Sequence, residues 1–334
     1  MLERLDELYA IGGGPGANRP HPSAAEDESH VLAAGWLEEA GLEVGADSSG
    51  NLVGRSGVRD DVWVGSHLDT VPQGGKFDGA LGVVAGIEAV ERCGRGAVVV
   101  FRGEEVGCVG SRALVARPAS LPSAFLELHI EQGPRLAEAG VSLGIVTGIV
   151  GYARGELVFE GSAGHAGTTP MARREDALVA AAEAILRIRD AAAALDGTVA
   201  TVGRVEVGPG GTNVIPGRVR ISVDARAPSD ELLDRVVDAI GFRPAQRTAP
   251  VAMGDECCAA LRQELEAGGL PVLELASGAG HDAGILAAAG VDAGMLFVRS
   301  LNGGISHSPD ELSSAEDVEL SAEVLAGALC RIAS

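Results

Sequence analysis

The sequence is short of basic side chains. It has 26 Lys and Arg residues against 47 Asp and Glu residues, which gives a formal net charge of −21 over 334 residues. Because nucleic acids and anionic membrane surfaces attract positively charged proteins, neither is an expected partner of this chain. The excess of acidic side chains is explained most simply as a contribution to solubility.

Cysteine is also scarce, and the few cysteines form no recognisable motif. The five are Cys93, Cys108, Cys257, Cys258 and Cys330. An odd number of cysteines without a Cys-x-x-Cys pair argues against a disulfide framework and against a zinc site built on thiolates. This cysteine usage favours a reducing compartment.

Long apolar runs are absent as well. No segment approaches the roughly 18 consecutive apolar residues of a transmembrane helix. The first eight residues, MLERLDEL, lack the basic and apolar regions of a secretory signal peptide. We therefore expect a cytoplasmic protein. There is no internal repeat of about 20–50 residues, and no low-complexity tract beyond alanine enrichment.

Three apolar segments are each followed by side chains that can bind a metal ion. Residues 62–64, 97–101 and 125–129 are nearly continuous apolar runs, as is typical of parallel strands that are buried on both faces. The polar residues at their ends are His67 and Asp69, then Glu104 and Glu105, then His129 and Glu131. Because the carboxyl ends of parallel strands meet at one edge of a sheet, we predict one site there.

The pattern changes in the middle of the chain. Alternating apolar and polar residues predict strands with one buried face, and two helices are predicted between them; the strands are 156–160, 199–207 and 218–225, and the helices are 176–194 and 229–240. Buried-strand segments return after residue 250. We therefore predict a small α+β domain (151–250) inserted into a larger domain (1–150 and 251–334). Its bare sheet edges favour pairing with a second copy.

Histidine and carboxylate ligands suit zinc, manganese or cobalt, and a carboxylate shared by two ions supports a hydrolytic site. Asp69, two residues after His67, can orient the imidazole of His67. Adjacent Glu104 and Glu105 point in different directions, so one can bind metal while the other takes a proton from metal-bound water. Each feature alone has a structural alternative: a polar contact, a solvated surface or a core histidine. Their occurrence at three strand ends favours a metal site.

Seven motifs follow one another between residues 65 and 309, within a stretch from about residue 20 to the C-terminus. They are GSHLDTVPQGGKFDG (65–79), EE (104–105), ELHIEQG (127–133), GHAGTTPM (164–171), NVIPG (213–217), SGAGHDA (277–283) and GISHSP (304–309). In this order they resemble the hydantoinase/carbamoylase family of M20-type metallohydrolases. The resemblance implies an α/β fold: a catalytic domain with a mixed, mostly parallel sheet flanked by helices, and an inserted α+β, ferredoxin-like domain that serves as lid and dimerisation domain.

The resemblance also implies a two-metal site. His67, Asp78 and His129 would hold one divalent ion, and Asp78, Glu105 and His307 the other, with Asp78 as the bridge. The ions would be Zn, Mn, Co or Ni. Glu104 would act as the general base, and Asp69 would support catalysis beside His67.

Further residues are implied as substrate contacts. In the inserted domain these are His165, Asn213 and Arg226, which would bind the carbonyl oxygen and the carboxylate, partly across a homodimer interface; the other candidates are Gln132, Gly280 and His281. The structural alternatives are that His165 caps a turn, Asn213 holds the turn before Pro216, and Arg226 is a solvated strand residue. Backbone N–H groups of the loop around Gly280 could bind a carboxylate without the help of His281.

The function implied is cleavage of the carbamoyl C–N bond of an N-carbamoyl-L-amino acid or related ureido acid, by a metal-bridging hydroxide with Glu104 as the base. The alternatives are an allantoate or ureidoglycolate amidohydrolase, an N-acyl amino acid or dipeptide hydrolase, and a metal-binding protein without catalysis. Residues 106–126 and 241–251 are shorter than the corresponding family segments. The first of these segments normally walls the substrate pocket, so the preferred substrate side chain does not follow from the resemblance.

Overall fold

The chain contains two compact units. The computed structural model describes residues 1–117 and 121–334. The first unit consists of Met1–Ile149 and Ala252–Ser334, and the second consists of Val150–Val251. Strands and helices alternate along the chain, and the mixed α/β class predicted from the sequence is confirmed. None of the described helices combines the length and apolar composition needed to cross a membrane.

The elements follow one another in chain order. Up to residue 149 they are α1 (Leu2–Ala10), α2 (Ala24–Glu39), β1 (Glu43–Ala46), β2 (Leu52–Arg55), β3 (Val62–His67), α3 (Ala80–Cys93), β4 (Ala97–Phe101), α4 (Val109–Val115), β5 (Ala124–Ile130), α5 (Arg135–Ala139) and β6 (Leu143–Ile149). The second unit has β7 (Gly151–Glu160), β8 (Gly164–His165), a 3-10 turn (Met171–Arg173), α6 (Ala177–Ala193), β9 (Val199–Thr201), β10 (Val205–Gly208), β11 (Val214–Ile215), β12 (Arg218–Ala227), α7 (Asp230–Ile240) and β13 (Gln246–Thr248). The rest are β14 (Val251–Ala252), α8 (Asp255–Ala267), β15 (Glu274–Ser277), α9 (Asp282–Ala288), β16 (Asp292–Val298) and α10 (Ala315–Ile332).

A nine-stranded mixed sheet forms the centre of the first unit. Its order is β1-β2-β4-β3-β5-β16-β6-β14, with β15 also paired to β6. Strands β4, β3, β5 and β16 run parallel. Every residue of β3, β4 and β5 is buried, because one hydrophobic cluster with α3 and α10 covers one sheet face and a second with α4 and α9 covers the other. Apolar residues are therefore needed at consecutive positions, and the three strand ends lie at one edge.

The second unit is built on a five-stranded antiparallel sheet. Its order is β10-β12-β7-β13, and β9 also pairs with β12. Buried residues alternate along β12, and the buried set packs with α6 and α7 in one hydrophobic cluster. The single strand predicted for 199–207 is two strands, β9 and β10, separated after Thr201. The last strand, β13, has three residues, in the segment that the sequence indicated to be short.

Helix α2 begins as predicted but buries a different face. The Ser23 side chain accepts a hydrogen bond from the Glu26 backbone N–H and caps the helix. The apolar pattern predicts Val31 in the buried face with Trp36 and Leu37, yet Val31 is 73% exposed, so that prediction is wrong. The residues one, two and three turns before Trp36 and Leu37 are buried instead, and they include His30 and Glu26. Contacts of the Glu26 carboxylate with His21 (2.7 Å) and Arg102 (3.4 Å) offset the cost of burying its charge.

Burial of His30 predicts acid sensitivity of the first unit. Neither of its ring nitrogens has a hydrogen-bond partner among the described residues. Burial first, and then the Arg102 charge, lower the pKa of His30 to about 3. Folded protein therefore keeps His30 neutral while the unfolded chain takes up a proton below about pH 6.5, so folding loses about 1.4 kcal/mol per pH unit below that point.

The variant His30→Leu should remove this contribution. Between pH 7.5 and pH 5.5, its free energy of unfolding should fall by about 1.4 kcal/mol less than that of the wild type. Urea unfolding followed by tryptophan fluorescence measures this directly, because both tryptophans, Trp36 and Trp63, belong to the first unit. Equal pH dependence in the two proteins would contradict the assignment.

Candidate metal centre

Asp78 lies between two sets of possible ligands. The loop after β3 places Asp78 just before α3, where one carboxylate oxygen, Oδ1, is 3.1 Å from His129 Nε2 and 3.7 Å from His67 Nε2. Its other oxygen, Oδ2, is 3.4 Å from His307 Nε2, which is itself 3.4 Å from Glu105 Oε2. The two oxygens of one carboxylate therefore face two separate groups of side chains.

Each of these groups could hold a metal ion. The first is His67, Asp78 and His129, and the second is Asp78, Glu105 and His307; in each, the ligand atoms lie within 4.8 Å of one another. The first group is fully buried, whereas the His307 side chain is 49% exposed. The structure thus brings together the five residues that the sequence suggested as ligands, and the second group faces solvent.

The donor atoms fit a divalent transition metal. His67 Nε2 and Glu105 Oε1 are buried and have no hydrogen-bond partner within residues 1–117 and 121–334. Buried polar atoms without partners are costly, and they are rare in folded proteins. Imidazole nitrogens combined with carboxylate oxygens are typical ligands of zinc and manganese. A bound ion would satisfy both atoms.

The surroundings of His67 hold its ring in place. Its Nδ1 is 3.1 Å from the Asp69 carbonyl oxygen and 3.4 Å from Asp69 Oδ1, which leaves Nε2 directed at Asp78. The Asp69 carboxylate also accepts hydrogen bonds from the backbone N–H groups of Glu104 (3.0 Å) and Glu105 (3.1 Å). At Gly79, with φ +63°, a Cβ atom would lie 2.4 Å from the His67 ring. Asp69 therefore links His67 to the Glu104-Glu105 turn, and only glycine fits beneath the ring.

Glu104 occupies a position suited to proton transfer. Its Oε2 is 3.9 Å from His67 Nε2, and its Oε1 accepts a weak hydrogen bond from the Cys108 thiol at 3.8 Å. Burial raises the pKa of Glu104 well above its usual range, against the opposing effect of the His67 charge. A carboxylate with a raised pKa binds a proton more readily than an ordinary glutamate, as a group that accepts and then releases a proton requires.

The charge state of the shared carboxylate is set by its histidine neighbours. Burial disfavours an ionised Asp78, but hydrogen bonds from His129 and His307 outweigh it, and the pKa of Asp78 lies well below its usual range. Burial likewise disfavours a charged His129, yet pairing with Asp78 raises the pKa of His129 to about 9. Asp78 is therefore an anion at neutral pH, as a bridging ligand must be.

Two of the predicted substrate contacts, Gln132 and His281, lie beside this centre. Gln132 donates hydrogen bonds from Nε2 to Asp78 Oδ2 (2.9 Å) and to Ser306 Oγ (3.1 Å). His281 is buried with its ring 4.5 Å from the His129 ring, and its Nε2 is 2.8 Å from Ser277 Oγ. Gly280 is exposed in the loop before α9. Gln132 and His281 thus contact other site residues, and the substrate roles of all three stay predictions.

Sequence reasoning missed Glu311. Its buried carboxylate accepts hydrogen bonds from the backbone N–H groups of Phe77 (2.7 Å) and Asp78 (3.1 Å) and from the Ser306 hydroxyl (2.8 Å). The sole signal in the sequence is a carboxylate four residues after His307, in the motif that supplies that ligand.

In the second unit, His165 and Asn213 are neighbours. The two-stranded ladder of β8 and β11 pairs His165 with Val214, and the Asn213 carbonyl accepts a hydrogen bond from the Ala166 N–H at 3.0 Å. His165 Nδ1 accepts hydrogen bonds from the N–H groups of Gly167 and Thr168. A neutral His165 ring therefore carries its proton on Nε2, as a hydrogen-bond donor.

Arg226 lies at the other end of the same unit. It is near the C-terminal end of β12, where its guanidinium binds both carboxylate oxygens of Asp224 at 3.0 and 3.2 Å. His165 and Asn213 lie beside the turn that leads into β12 at Arg218. Arg226 follows Arg218 by eight residues along the extended strand, which corresponds to about 26 Å.

Comparison with known proteins gives consistent matches over nearly the whole chain. The model of "Peptidase family M20/M25/M40" matches residues 63–331. An N-carbamoyl-L-amino acid amidohydrolase of Geobacillus stearothermophilus is 37% identical over 394 aligned positions that cover 97% of this chain and 96% of the relative. An allantoate amidohydrolase of Bacillus subtilis (strain 168) is 34% identical, covering 89% of this chain and 88% of the relative.

A solved structure shares the fold. The crystal structure of an amidase of the hydantoinase/carbamoylase family from Burkholderia multivorans has a TM-score of 0.91 and 31% identity, covering 99% of this chain and 97% of the other. The alignment with the Geobacillus relative runs over 394 positions, whereas this chain has 334 residues. The relative therefore carries segments that this chain lacks.

Proposed function

Because this chain belongs to peptidase family M20/M25/M40, we propose that it is a metal-dependent amidohydrolase that cleaves the carbamoyl C–N bond of an N-carbamoyl-L-amino acid or a related ureido acid. The observation that carries this proposal is the pair of ligand groups that share Asp78. The relatives named as N-carbamoyl-L-amino acid and allantoate amidohydrolases support the choice of a ureido substrate.

The proposal includes two divalent ions, Zn, Mn, Co or Ni. His67, Asp78 and His129 would hold one, and Asp78, Glu105 and His307 the other. When bound, such ions polarise the scissile carbonyl and make a water molecule acidic enough to attack at neutral pH. The buried atoms without partners, His67 Nε2 and Glu105 Oε1, support one ion at each group.

The protein's own residues handle the protons. Glu104 takes a proton from the attacking water and delivers it to the leaving nitrogen of the amino acid, a role supported by its burial and its raised pKa. Asp69 holds the His67 ring and the Glu104 backbone in fixed positions through the contacts described above. The products are a free amino acid and carbamate, which breaks down to ammonia and carbon dioxide.

The second unit would act as lid and dimerisation domain and supply the remaining substrate contacts. His165 Nε2–H and Asn213 would bind the carbonyl oxygen, and Arg226 would bind the carboxylate as a bidentate partner. A carbamoyl amino acid is far shorter than the ~26 Å of β12 between Arg226 and Arg218, and His165 and Asn213 lie beside the turn that precedes Arg218. We therefore propose a homodimer in which one copy supplies His165 and Asn213 and the other supplies Arg226. A cytoplasmic location, as expected from the sequence, completes the proposal.

Ammonia release tests the substrate class. Protein loaded with manganese should release ammonia from at least one member of a panel of N-carbamoyl-L-amino acids, allantoate and ureidoglycolate. Release of an amine from N-acyl amino acids or dipeptides, without ammonia from the panel, would identify the peptidase-like alternative instead. Absence of turnover with metal confirmed bound would reject the ureido class and favour a metal-binding protein without catalysis.

A further inference from the structure

The Glu311 carboxylate is buried against a loop that is distant in sequence. It is 6% exposed, and its Oε1 accepts the backbone N–H groups of Phe77 and Asp78, which lie 234 and 233 residues earlier. Removing a carboxylate from water costs several kcal/mol unless hydrogen bonds replace the lost solvation. These bonds therefore fix Glu311 and the loop against each other.

The fit between Glu311 and this loop is tight. A Cβ atom at Gly75 would lie 2.0 Å from Glu311 Cδ, so any side chain at position 75 would displace the carboxylate. Glu311 follows His307 by four residues, and the loop ends at Asp78. The contact thus joins two segments that each present a ligand of the second group, Asp78 and His307.

The side chain of Asp78 is reached through Ser306. The Ser306 hydroxyl oxygen is 2.8 Å from Glu311 Oε2 and 3.3 Å from Asp78 Oδ2. A hydroxyl has one proton, and the shorter contact assigns it to Glu311. Gln132 Nε2 donates hydrogen bonds to both Ser306 Oγ and Asp78 Oδ2. The Ser306 oxygen thus accepts on the Gln132 side, which is consistent with its own proton pointing to Glu311. Asp78 Oδ2 consequently keeps a lone pair directed at the group formed with Glu105 and His307.

We propose that Glu311 is a positioning residue for Asp78. It holds the Asp78 backbone and draws the Ser306 proton away from Oδ2, so that this oxygen stays available to the ion bound with Glu105 and His307. The inference deepens the proposed function and rests on it. It predicts that a defect at Glu311 affects one of the two ions, since Asp78 Oδ1 faces His67 and His129 and has no link to Ser306.

The variant Glu311→Gln tests the direction of the Ser306 proton. A glutamine keeps an oxygen for the two backbone N–H groups but places an N–H donor against Ser306. The Ser306 hydroxyl must then turn its proton to Asp78 Oδ2, in competition with the ion. Affinity for the ion held by Asp78, Glu105 and His307 should fall about 10- to 100-fold. The ion held by Asp78, His67 and His129 should bind as in the wild type.

The double variant Ser306→Ala/Glu311→Gln separates this mechanism from a general loss of structure. Removing the hydroxyl removes the competing proton, so the double variant should bind the weakened ion better than Glu311→Gln alone. Asp310→Asn is the matched control: it removes the neighbouring, exposed carboxylate and should bind both ions like the wild type. Thermal unfolding of the metal-free proteins checks that all variants are folded.

Calorimetric titration of metal-free protein with Mn²⁺ measures these affinities without any substrate. The proposal is overturned if the wild type binds fewer than two ions or if Glu311→Gln binds both with wild-type affinity. It is also overturned if the double variant Ser306→Ala/Glu311→Gln binds the weakened ion no better than Glu311→Gln alone. A wild type that binds two ions yet releases no ammonia would reject the proposed function alone, and the titration would still decide the role of Glu311.

Discussion

Replacement of Asp78 by asparagine is expected to remove metal from both ligand groups and to reduce turnover at least about 1,000-fold, because ions at such sites contribute several kcal/mol to catalysis. The carboxylate presents Oδ1 to His67 and His129 and Oδ2 to His307. An amide has one oxygen and no charge, and its NH₂ group would face one of the two groups as a donor. No other ligand belongs to both groups among the described residues.

Metal analysis after dialysis, together with ammonia release, measures this effect. Wild-type protein should retain two ions per chain, and Asp78→Asn should retain fewer than one. Asp310→Asn again serves as the matched control, since it makes the same chemical change at an exposed position. Circular dichroism establishes that the variants are folded. An Asp78→Asn protein that keeps two ions would show that Asp78 is not the shared ligand.

Replacement of Glu104 by glutamine should abolish turnover and leave the metal content unchanged. Glutamine has the same shape but cannot accept a proton, and general acid–base catalysis contributes typically 10²- to 10⁴-fold, which sets the expected loss at about that size or larger. Glu104 belongs to neither ligand group. The Glu104 Oε2 atom is 3.9 Å from His67 Nε2, which is too far for a hydrogen bond, so the Glu104 charge is not required to hold a ligand atom in place.

The neighbouring Glu105 provides the matched comparison. Glu105→Gln makes the same substitution one residue later, at a side chain whose oxygens lie within the second ligand group. It should lose one ion, whereas Glu104→Gln should lose none. Rate and metal content measured on the same samples separate the two roles. Loss of metal from Glu104→Gln, or a wild-type rate, would remove Glu104 as the base.

Three of the candidate ligands could be placed together from the sequence because their positions are set by one sheet. Strands β3, β4 and β5 are parallel neighbours, so residues that follow each apolar run necessarily meet at one edge. His67, Glu105 and His129 could therefore be placed together from three short segments. The family motifs add Asp78 and His307, whose loops have no periodicity that would locate them.

Other features depend on contacts that no local pattern encodes. The prediction that Val31 is buried fails because α2 buries the polar Glu26 and His30, and Glu26 is compensated by Arg102 from beyond β4. The role of Glu311 rests on hydrogen bonds that span more than 230 residues. Likewise, the ~26 Å of extended strand between Arg218 and Arg226 follows from the length of β12 and not from either motif.

The most direct test of the proposed two-metal hydrolysis of a ureido substrate is the stoichiometry of products at known metal content. Manganese-loaded wild type and Glu104→Gln should each carry two ions per chain. Wild type should convert an N-carbamoyl-L-amino acid into equal amounts of ammonia and free amino acid, and Glu104→Gln should form neither at a comparable rate. Free amino acid without ammonia, or equal rates in the two proteins, would contradict the account.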